Sequence, residues 1–106
     1  MFARKVSFHL KANSHNELKR KLDTEIIPLM RKQKGFLDEI TFLHFTGKEA
    51  HTFSLWESAE HAEAYNREIY PQVTKILAAA IEGSPRVQTY EIFHSTFLKV
   101  LVGTPA

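Results

Sequence analysis

The stretch Thr52-Phe53-Ser54-Leu55-Trp56-Glu57-Ser58-Ala59 contains the junction that decides the fold. A strand-like run from Thr52 to Trp56 stops there, and a helix-like run from Ala59 to Asn66 begins. Ser58 is the natural N-cap between them, because a serine hydroxyl accepts an unpaired backbone N–H group of the first helical turn. The junction lies midway along a predicted order of strand, helix, strand, strand, helix and strand.

The segment before this junction begins with a strand pattern and continues with a helical one. Residues Phe2 to Leu10 alternate between two faces, which predicts a strand. Ser14 and Glu17 have the spacing of a capping box at the start of a helix. Pro28 lies inside the helical pattern and is expected to kink or divide it. Gly35 is predicted as the residue just past the helix end.

The next two strands are predicted to form a hairpin. Phe36 to Phe45 and Ala50 to Trp56 are both strand-like, and Gly47-Lys48 between them fits a two-residue turn. That turn would place Phe42 opposite Phe53. The apolar faces of the two strands then coincide, so this register is self-consistent.

The second half of the chain repeats the helix and strand. Tyr70-Pro71 divides a helical region that extends to Gly83, and Val87 to Ser95 is the predicted fourth strand. The βαββαβ order predicts a ferredoxin-like α+β sandwich, an antiparallel sheet with helices on one face. We expect a single domain over residues 1–106, with 96–106 as a C-terminal tail. The apolar residues 96–102 of this tail are predicted to cross onto a partner subunit.

The two faces of the sheet are predicted to differ in their neighbours. The face covered by helices is expected to contain Phe2, Val6, Phe8, Leu10, Phe36, Ile40, Phe42, Phe53 and Leu55. The opposite face is expected to contain Leu37, Leu43, Phe45 and Trp56 among Ser7, Thr41, Thr52 and Ser54. Large apolar groups among small hydroxyl residues suit close approach of a second sheet.

Composition excludes several classes of function. The net charge is +2 and the basic residues are dispersed, so no nucleic-acid partner is expected. The chain contains no cysteine, which excludes disulfides, thiolate catalysis and cysteine-based zinc sites. No apolar run reaches membrane-spanning length. We therefore expect no membrane association and a cytoplasmic location.

Three segments carry a resemblance to a known family. They are Leu29-Met30 through Lys34-Gly35-Phe36, the run from Phe53 to Ser58, and Tyr90-Glu91-Ile92 on the last strand. On these segments the chain resembles the dimeric α/β-barrel proteins, specifically the antibiotic-biosynthesis-monooxygenase-like domains. The resemblance covers residues 2 to 95. It implies a homodimer and a cofactor-independent oxygenase that acts on a small aromatic or polyketide-like molecule.

One branch of this family degrades haem. Its members have an Asn on the first strand, a Trp on the second helix and a proximal His further along. Alignment from Trp56 without gaps places Tyr65 at the Trp position and Lys75 at the His position, and none of residues 7–9 is an Asn. The resemblance therefore does not extend to haem degradation, and we expect no cofactor.

Two histidines flank the predicted hairpin turn. In the two-residue register His44 and His51 are cross-strand neighbours, with Cβ atoms about 5 Å apart. Two imidazoles at this distance could share a metal or a proton. A third ligand is not evident, so no metal site is predicted. Alternatively, both side chains lie at the solvent-exposed end of the core and have no shared ligand.

The other candidate site residues are mostly aromatic. His94 on the last strand is a candidate general base or a hydrogen-bonded structural residue. Trp56 is a candidate for stacking on an aromatic ligand or a buried anchor of the dimer interface. The resemblance places Tyr65 and Tyr70 on the helical region that borders the cavity. There they either bind the hydroxyl of a substrate or pack between helices.

The sequence supports two hypotheses about function. The first is a homodimeric monooxygenase-like enzyme in which His44, Tyr65 and His94 are the catalytic candidates. Trp56, Tyr70 and His51 are then the ligand-binding candidates. The second is a non-catalytic, small-molecule-binding or stress-related dimer with a pocket and no reaction.

Overall fold

The computed structural model describes residues 1–96. The predicted order of strands and helices is confirmed, and both helical regions are divided, as Pro28 and Tyr70-Pro71 predict. The elements are β1 (Phe2–Leu10), α1 (His15–Lys21), a π-helical segment (Leu22–Ile26), α2 (Ile27–Arg31), β2 (Phe36–Leu43), β3 (Glu49–Trp56), α3 (Ala59–Glu68), α4 (Tyr70–Leu77) and β4 (Ile81–Glu91).

The four strands form one antiparallel sheet in the order β2-β3-β1-β4. The helices pack on one side of it, where alternate residues of β1 enter the main core: Val6, Phe8 and Leu10 are buried against residues of all the helical segments. The predicted ferredoxin-like α+β fold is therefore confirmed. We call this the helix side of the sheet and the opposite side the open face.

The predicted register of the β2–β3 hairpin is wrong by two residues. Phe42 lies opposite His51, and Phe53 lies opposite Ile40. The backbone N–H of His44 donates to the carbonyl of Glu49 at 2.8 Å, which closes a four-residue loop over 45–48 in place of the two-residue turn.

The predicted faces of β2 and β3 are also wrong. The register shifts between Phe36 and Asp38. Phe36 therefore points to the helix side as predicted, while the residues of β2 after the shift point to the side opposite to the one predicted. Four predicted core residues lie on the open face: Ile40, Phe42, Phe53 and Leu55. Five residues predicted for the open face lie on the helix side: Thr41, Leu43, Thr52, Ser54 and Trp56. Phe45 lies in the hairpin loop.

Some of the local signals for the ends and divisions of the helices are confirmed and others are wrong. Pro28 has no N–H to donate, and the helix is divided before it by the π-helical segment, as predicted. The capping box is wrong, because the Ser14 side chain makes no capping hydrogen bond. Gly35 has a φ of +84° but lies in the turn before β2, beyond the residue that directly follows α2. The Ser58 cap is confirmed: its hydroxyl accepts from the backbone N–H of His61 at 3.3 Å.

The last strand begins earlier than predicted. α4 ends at Leu77, and β4 begins at Ile81, where the sequence pattern predicts helix up to Gly83. Gly83 and Pro85 lie in the register shift between β1 and β4, so the strand tolerates both residues. Within residues 1–96, no helix is long and apolar enough to cross a membrane. The segment predicted to cross onto a partner, residues 96–102, lies outside the described part of the chain except for Thr96.

Candidate functional site

A charged side chain occupies the helix side of the first strand. Arg4 follows the same alternation as Phe2 and Val6, and its side chain is only 2% exposed. Its Nη2 donates a hydrogen bond of 2.6 Å to Oδ1 of Asn66 on α3. β1 and α3 therefore hold the guanidinium between the sheet and the helix layer.

Two tyrosines surround this guanidinium. The guanidinium carbon lies 4.0 Å from the ring centroid of Tyr70 and 5.3 Å from that of Tyr65, which are cation–π distances. Burial raises the pKa of both phenols, and the positive charge of Arg4 opposes that rise. Both tyrosines are therefore neutral hydrogen-bond donors near neutral pH.

The hydroxyl of Tyr70 is buried and makes no hydrogen bond of regular geometry within residues 1–96, although the Arg4 guanidinium is its polar neighbour. A buried hydroxyl without a partner is unfavourable by about 1–3 kcal/mol. Such a group is a natural contact point for a ligand, because a bound acceptor or donor removes this penalty.

Arg4 carries a positive charge without a carboxylate partner. In the described part of the chain, no Asp or Glu oxygen lies within 4.0 Å of its guanidinium nitrogens. Burial lowers the pKa of Arg4, since desolvation disfavours the charged form. Arginine nevertheless stays protonated in proteins. The site therefore contains a desolvated cation in contact with aromatic faces and one amide, and the Glu63 carboxylate acts on it from a longer distance.

A small inner cavity lies between the sheet and the helices. Its volume is about 30 Å³, room for about one water molecule. Glu39 contributes the carboxylate of this cavity, and its Oε2 accepts hydrogen bonds from the hydroxyls of Thr41 and Thr52. Its lining consists of Arg4, Val6, Phe8, Leu22, Ile26, Met30, Glu39, Thr52, Ser54, Tyr65, Tyr70, Val73 and Leu77.

A larger groove lies between α3 and the strands β1 and β4. Its volume is about 640 Å³, within the range of small-molecule sites. Its lining consists of Phe2, Arg4, Ala59, Glu60, Ala62, Glu63, Asn66, Arg67, Val87 and Thr89. Arg4 lines both the groove and the inner cavity, so its guanidinium lies at the boundary between them.

The structure brings three of the predicted site residues together. Tyr65 and Tyr70 line the inner cavity, and Trp56 packs on Tyr65 with ring centroids 4.9 Å apart. Trp56 is fully buried on the helix side, and its Nε1 donates to Oγ of Ser54 at 2.9 Å. Its predicted role as an anchor of the open face is therefore wrong.

The three predicted histidines lie away from this cluster, and none lines the groove or the inner cavity. His44 is exposed in the hairpin region and His94 is exposed after β4. His51 lies on the open face, with Nδ1 2.9 Å from Oγ of Ser7 and Nε2 3.1 Å from Oε1 of Glu49. The predicted direct pairing of His44 with His51 is wrong.

No group of three or more metal-ligating side chains occurs within residues 1–96. Tyr65 and Lys75, the two residues aligned with the Trp and the proximal His of the haem-degrading branch, differ from each other in burial. Tyr65 is buried on α3, while Lys75 is exposed on α4. The groove and the inner cavity have no histidine in their lining.

Sequence reasoning missed Arg4, Asn66 and Glu39. The signal for Arg4 was present, because period-two alternation places it on the same face of β1 as Phe2 and Val6. A charged residue at such a position indicates either a buried partner or a site. No comparable signal identifies Asn66, because its position depends on how α3 crosses the sheet.

The chain shares its fold with solved structures of the type that the resemblance names, among them proteins described as antibiotic biosynthesis monooxygenases. The chain is similar to a monooxygenase, ActVA-Orf6 of Streptomyces coelicolor, solved in complex with nanaomycin D. The TM-score is 0.75 at 15% identity, and the match covers 90% of this chain and 89% of that one.

Two further solved structures have the same architecture. SnoaB, a cofactor-independent oxygenase from Streptomyces nogalater, matches with a TM-score of 0.74 at 8% identity, over 89% of this chain and 94% of that one. The NE2512 protein of unknown function from Nitrosomonas europaea matches with a TM-score of 0.72 at 18% identity, over 90% and 91%. No family model and no curated protein sequence matches the chain.

Proposed function

We propose that this protein is a homodimeric, cofactor-independent oxygenase that acts on a small aromatic or polyketide-like molecule. The observation that carries the proposal is the Arg4–Tyr65–Tyr70 cluster at the boundary of a groove large enough for such a molecule. Two proteins of the same fold, a monooxygenase and a cofactor-independent oxygenase, support the choice of chemistry.

In this chemistry the substrate itself supplies the electrons for the reduction of O2. The substrate loses a proton, and the resulting anion reacts with O2 to form a carbon–oxygen bond. One oxygen atom stays on the substrate carbon, replacing two hydrogens, and the other leaves as water. The protein's part is to bind the substrate, favour its anion and exclude bulk water.

The residues of the cluster suit these tasks. The Arg4 cation stabilises negative charge that develops on a substrate oxygen, and its low exposure makes this interaction stronger than it would be in water. The neutral hydroxyls of Tyr65 and Tyr70 and the Glu39 carboxylate line the inner cavity on the other side of Arg4, so we propose that they act on the substrate through the one water molecule that this cavity can hold. Through that water the tyrosines donate hydrogen bonds and Glu39 is the proposed proton acceptor. Catalytic roles for His44 and His94 stay predictions, because neither side chain lines a cavity.

The experiment is oxygen consumption with a panel of naphthalene and anthracene hydroquinones, which match the groove in size and oxidise at one ring. We expect protein-dependent oxygen uptake and a product whose mass shows the gain of one oxygen atom and the loss of two hydrogen atoms. Glu39→Gln should lower the rate about a hundredfold, the usual scale for a proton-transfer group. Uptake no faster than the protein-free control with every member of the panel would contradict the proposal.

A non-catalytic small-molecule-binding dimer is the second candidate. It is favoured by the absence of histidine among the residues that line the groove and the inner cavity, since histidine is the commonest general base. Such a binder would show thermal stabilisation by hydroquinones without turnover. The cytoplasmic location also stays a prediction, to be tested by fractionation.

A further inference from the structure

We propose that Ser7, His51 and Glu49 form a nucleophilic site on the open face of the sheet, and that this site hydrolyses a small aromatic ester. The groove and the inner cavity lie on the helix side of the sheet, and none of these three residues lines either of them. The inference therefore goes beyond the proposed function and does not depend on it.

The three side chains form a continuous series of polar contacts. Oγ of Ser7 lies 2.9 Å from Nδ1 of His51, and Nε2 of the same ring lies 3.1 Å from Oε1 of Glu49. A carboxylate only accepts hydrogen bonds, so Glu49 holds the imidazole proton on Nε2. In the neutral ring Nδ1 is then the acceptor, and the Ser7 hydroxyl donates to it. This is the order of nucleophile, base and orienting carboxylate that hydrolytic triads share.

A cation flanks the nucleophile on its other side. Ser7 lies opposite His51 on β3 and opposite Arg86 on β4, so the three residues form one row across the open face. Side chains that lie opposite each other in an antiparallel sheet have Cβ atoms about 5 Å apart. In the part of the chain that the structure describes, no carboxylate oxygen lies within 4.0 Å of the Arg86 guanidinium nitrogens. Arg86 is thus placed to stabilise the oxyanion that forms when Ser7 attacks a carbonyl carbon.

Aromatic side chains beyond His51 indicate the kind of ester. Phe42 lies opposite His51 on β2, is exposed, and packs edge-to-face on Phe53. The two rings present apolar surface on the side of the base that faces away from Arg86, where an aromatic leaving group fits. Ser7 itself is only 5% exposed, which leaves little room above the nucleophile. We therefore expect an aryl ester with a small acyl group such as acetyl.

The reaction has two steps, and water is its second reactant. Oγ of Ser7 bonds to the carbonyl carbon while its proton moves to Nδ1 of His51. The bond from that carbon to the aryl oxygen then breaks, and the aryl oxygen takes the proton from Nδ1. Water attacks the acyl–serine in the same way, which releases the carboxylic acid and restores the Ser7 hydroxyl.

The first test is covalent labelling of the full chain with an alkyl fluorophosphonate, in which a serine oxygen bonds to phosphorus and fluoride leaves. We expect one adduct, which peptide mass spectrometry locates on Ser7. His51→Gln should slow this labelling about a hundredfold, the usual scale for removal of a proton by a positioned base. Ser84→Ala is the matched control, because it removes an exposed serine from β4 and should leave labelling unchanged.

The second test is hydrolysis of 1-naphthyl acetate, followed by the fluorescence of the released naphthol. Arg86→Met should lower kcat about tenfold or more, because an oxyanion contact is lost. Arg31→Met removes an exposed charge from α2 and should have no effect. Glu49 is a positioning residue that contacts the imidazole and not the ester. Glu49→Gln should therefore lower kcat while KM and Tm stay the same.

An unlabelled Ser7 in the natural protein would overturn the inference, and this result does not depend on how any variant folds. Labelling that is equally fast in His51→Gln would show that the three contacts only hold neighbouring strands together. Hydrolysis of naphthyl acetate no faster than in buffer would also overturn the proposed reaction.

The row crosses the open face near the hairpin loop, so labelling is repeated at concentrations below and above dimer formation. We expect similar rates, because this end of the sheet borders solvent. Labelling that disappears in a dimer would overturn a role for the site in the assembled protein. Oxygen uptake from hydroquinones does not involve these residues, so a failure of either proposal leaves the other standing.

Discussion

The guanidinium carbon of Arg4 lies 4.0 Å from the centre of the Tyr70 ring, while the hydroxyl of the same tyrosine makes no hydrogen bond of regular geometry within residues 1–96. The ring therefore stabilises a buried cation, and the polar end of the side chain is left unsatisfied. Natural cores rarely retain such a group unless it has a role. The ring of Tyr70 is therefore expected to contribute to the stability of the fold, and its hydroxyl to ligand binding.

Tyr70→Phe should raise the free energy of unfolding by about 1 kcal/mol, because the ring stays and an unsatisfied buried hydroxyl is removed. Urea denaturation measures the change. Trp56→Phe is the contrasting variant: it removes the Nε1 hydrogen bond to Ser54 and leaves space in the core, so it should destabilise the protein by about 2 kcal/mol. A clear loss of stability in Tyr70→Phe would mean that the hydroxyl has a partner in solution.

The alkaline stability of the protein should depend on Tyr65. Burial raises the pKa of this phenol above its ordinary value of 10.0, so the folded state keeps a proton that the unfolded chain loses. The contribution of Tyr65 to stability is thus fully present below pH 10.0 and is lost as the pH rises above it.

Urea denaturation between about pH 9 and pH 11 tests this dependence. In Tyr65→Phe, the decline of unfolding free energy with pH should be shallower by up to about 1.4 kcal/mol per pH unit. Tyr70 contributes in the same direction, because burial raises its pKa too. Parallel curves for the natural protein and Tyr65→Phe would show that the phenol ionises equally easily in both states.

Local signals predicted the parts of the fold that depend on neighbours in sequence. The alternation over Phe2–Leu10 marks β1, Pro28 marks the division of the first helical region, and Ser58 marks the start of α3. Each of these depends on backbone chemistry within a few residues. The order of elements, and hence the fold class, followed from them.

The faces of β2 and β3 could not be predicted from the same signals. Both sides of these strands carry large apolar residues, so periodicity does not choose between them. The register shift after Phe36 and the four-residue hairpin loop decide the phase, and neither has a strong sequence signature. Of the candidate cluster, Tyr65 and Tyr70 were named from the sequence as site candidates. Arg4 was overlooked although its alternation places it on the covered face of β1, and the position of Asn66 depends on tertiary packing.

Gly35 and Gly83 provide a matched pair for backbone strain, with φ values of +84° and +67°. A Cβ at Gly35 would lie 2.3 Å from Cγ of His61, while a Cβ at Gly83 would meet nothing within 4 Å. Gly35→Ala should therefore destabilise the protein by about 2–3 kcal/mol, and Gly83→Ala by about 1 kcal/mol.

The two alanine variants are compared by thermal denaturation under identical conditions. The His61 ring cannot move freely, because its Nδ1 lies 2.8 Å from the Ser58 hydroxyl that caps α3. Equal losses in the two variants would show that the φ angle alone decides the cost and that the close approach to His61 relaxes.

The open face carries a group of apolar side chains that supports the proposed homodimer. Ile40 is 47% exposed and Phe42 is 52% exposed, and Phe42 packs edge-to-face on Phe53 at 5.9 Å between ring centroids. Burial of such a surface is favourable by about 25 cal/mol per Å². Sedimentation at micromolar concentration should therefore give twice the chain mass of 12.2 kDa.

Phe42→Asp should weaken this dimer at least about tenfold, because a carboxylate buried between two sheets loses its hydration without gaining a partner. Phe45→Asp is the control, because it is the same substitution at a position outside the sheet. Phe45 lies in the hairpin loop and is 93% exposed. Sedimentation equilibrium of both variants measures the dissociation constants. If the two variants dissociate equally, or if the natural protein sediments as a folded monomer, the subunits do not associate through the open face.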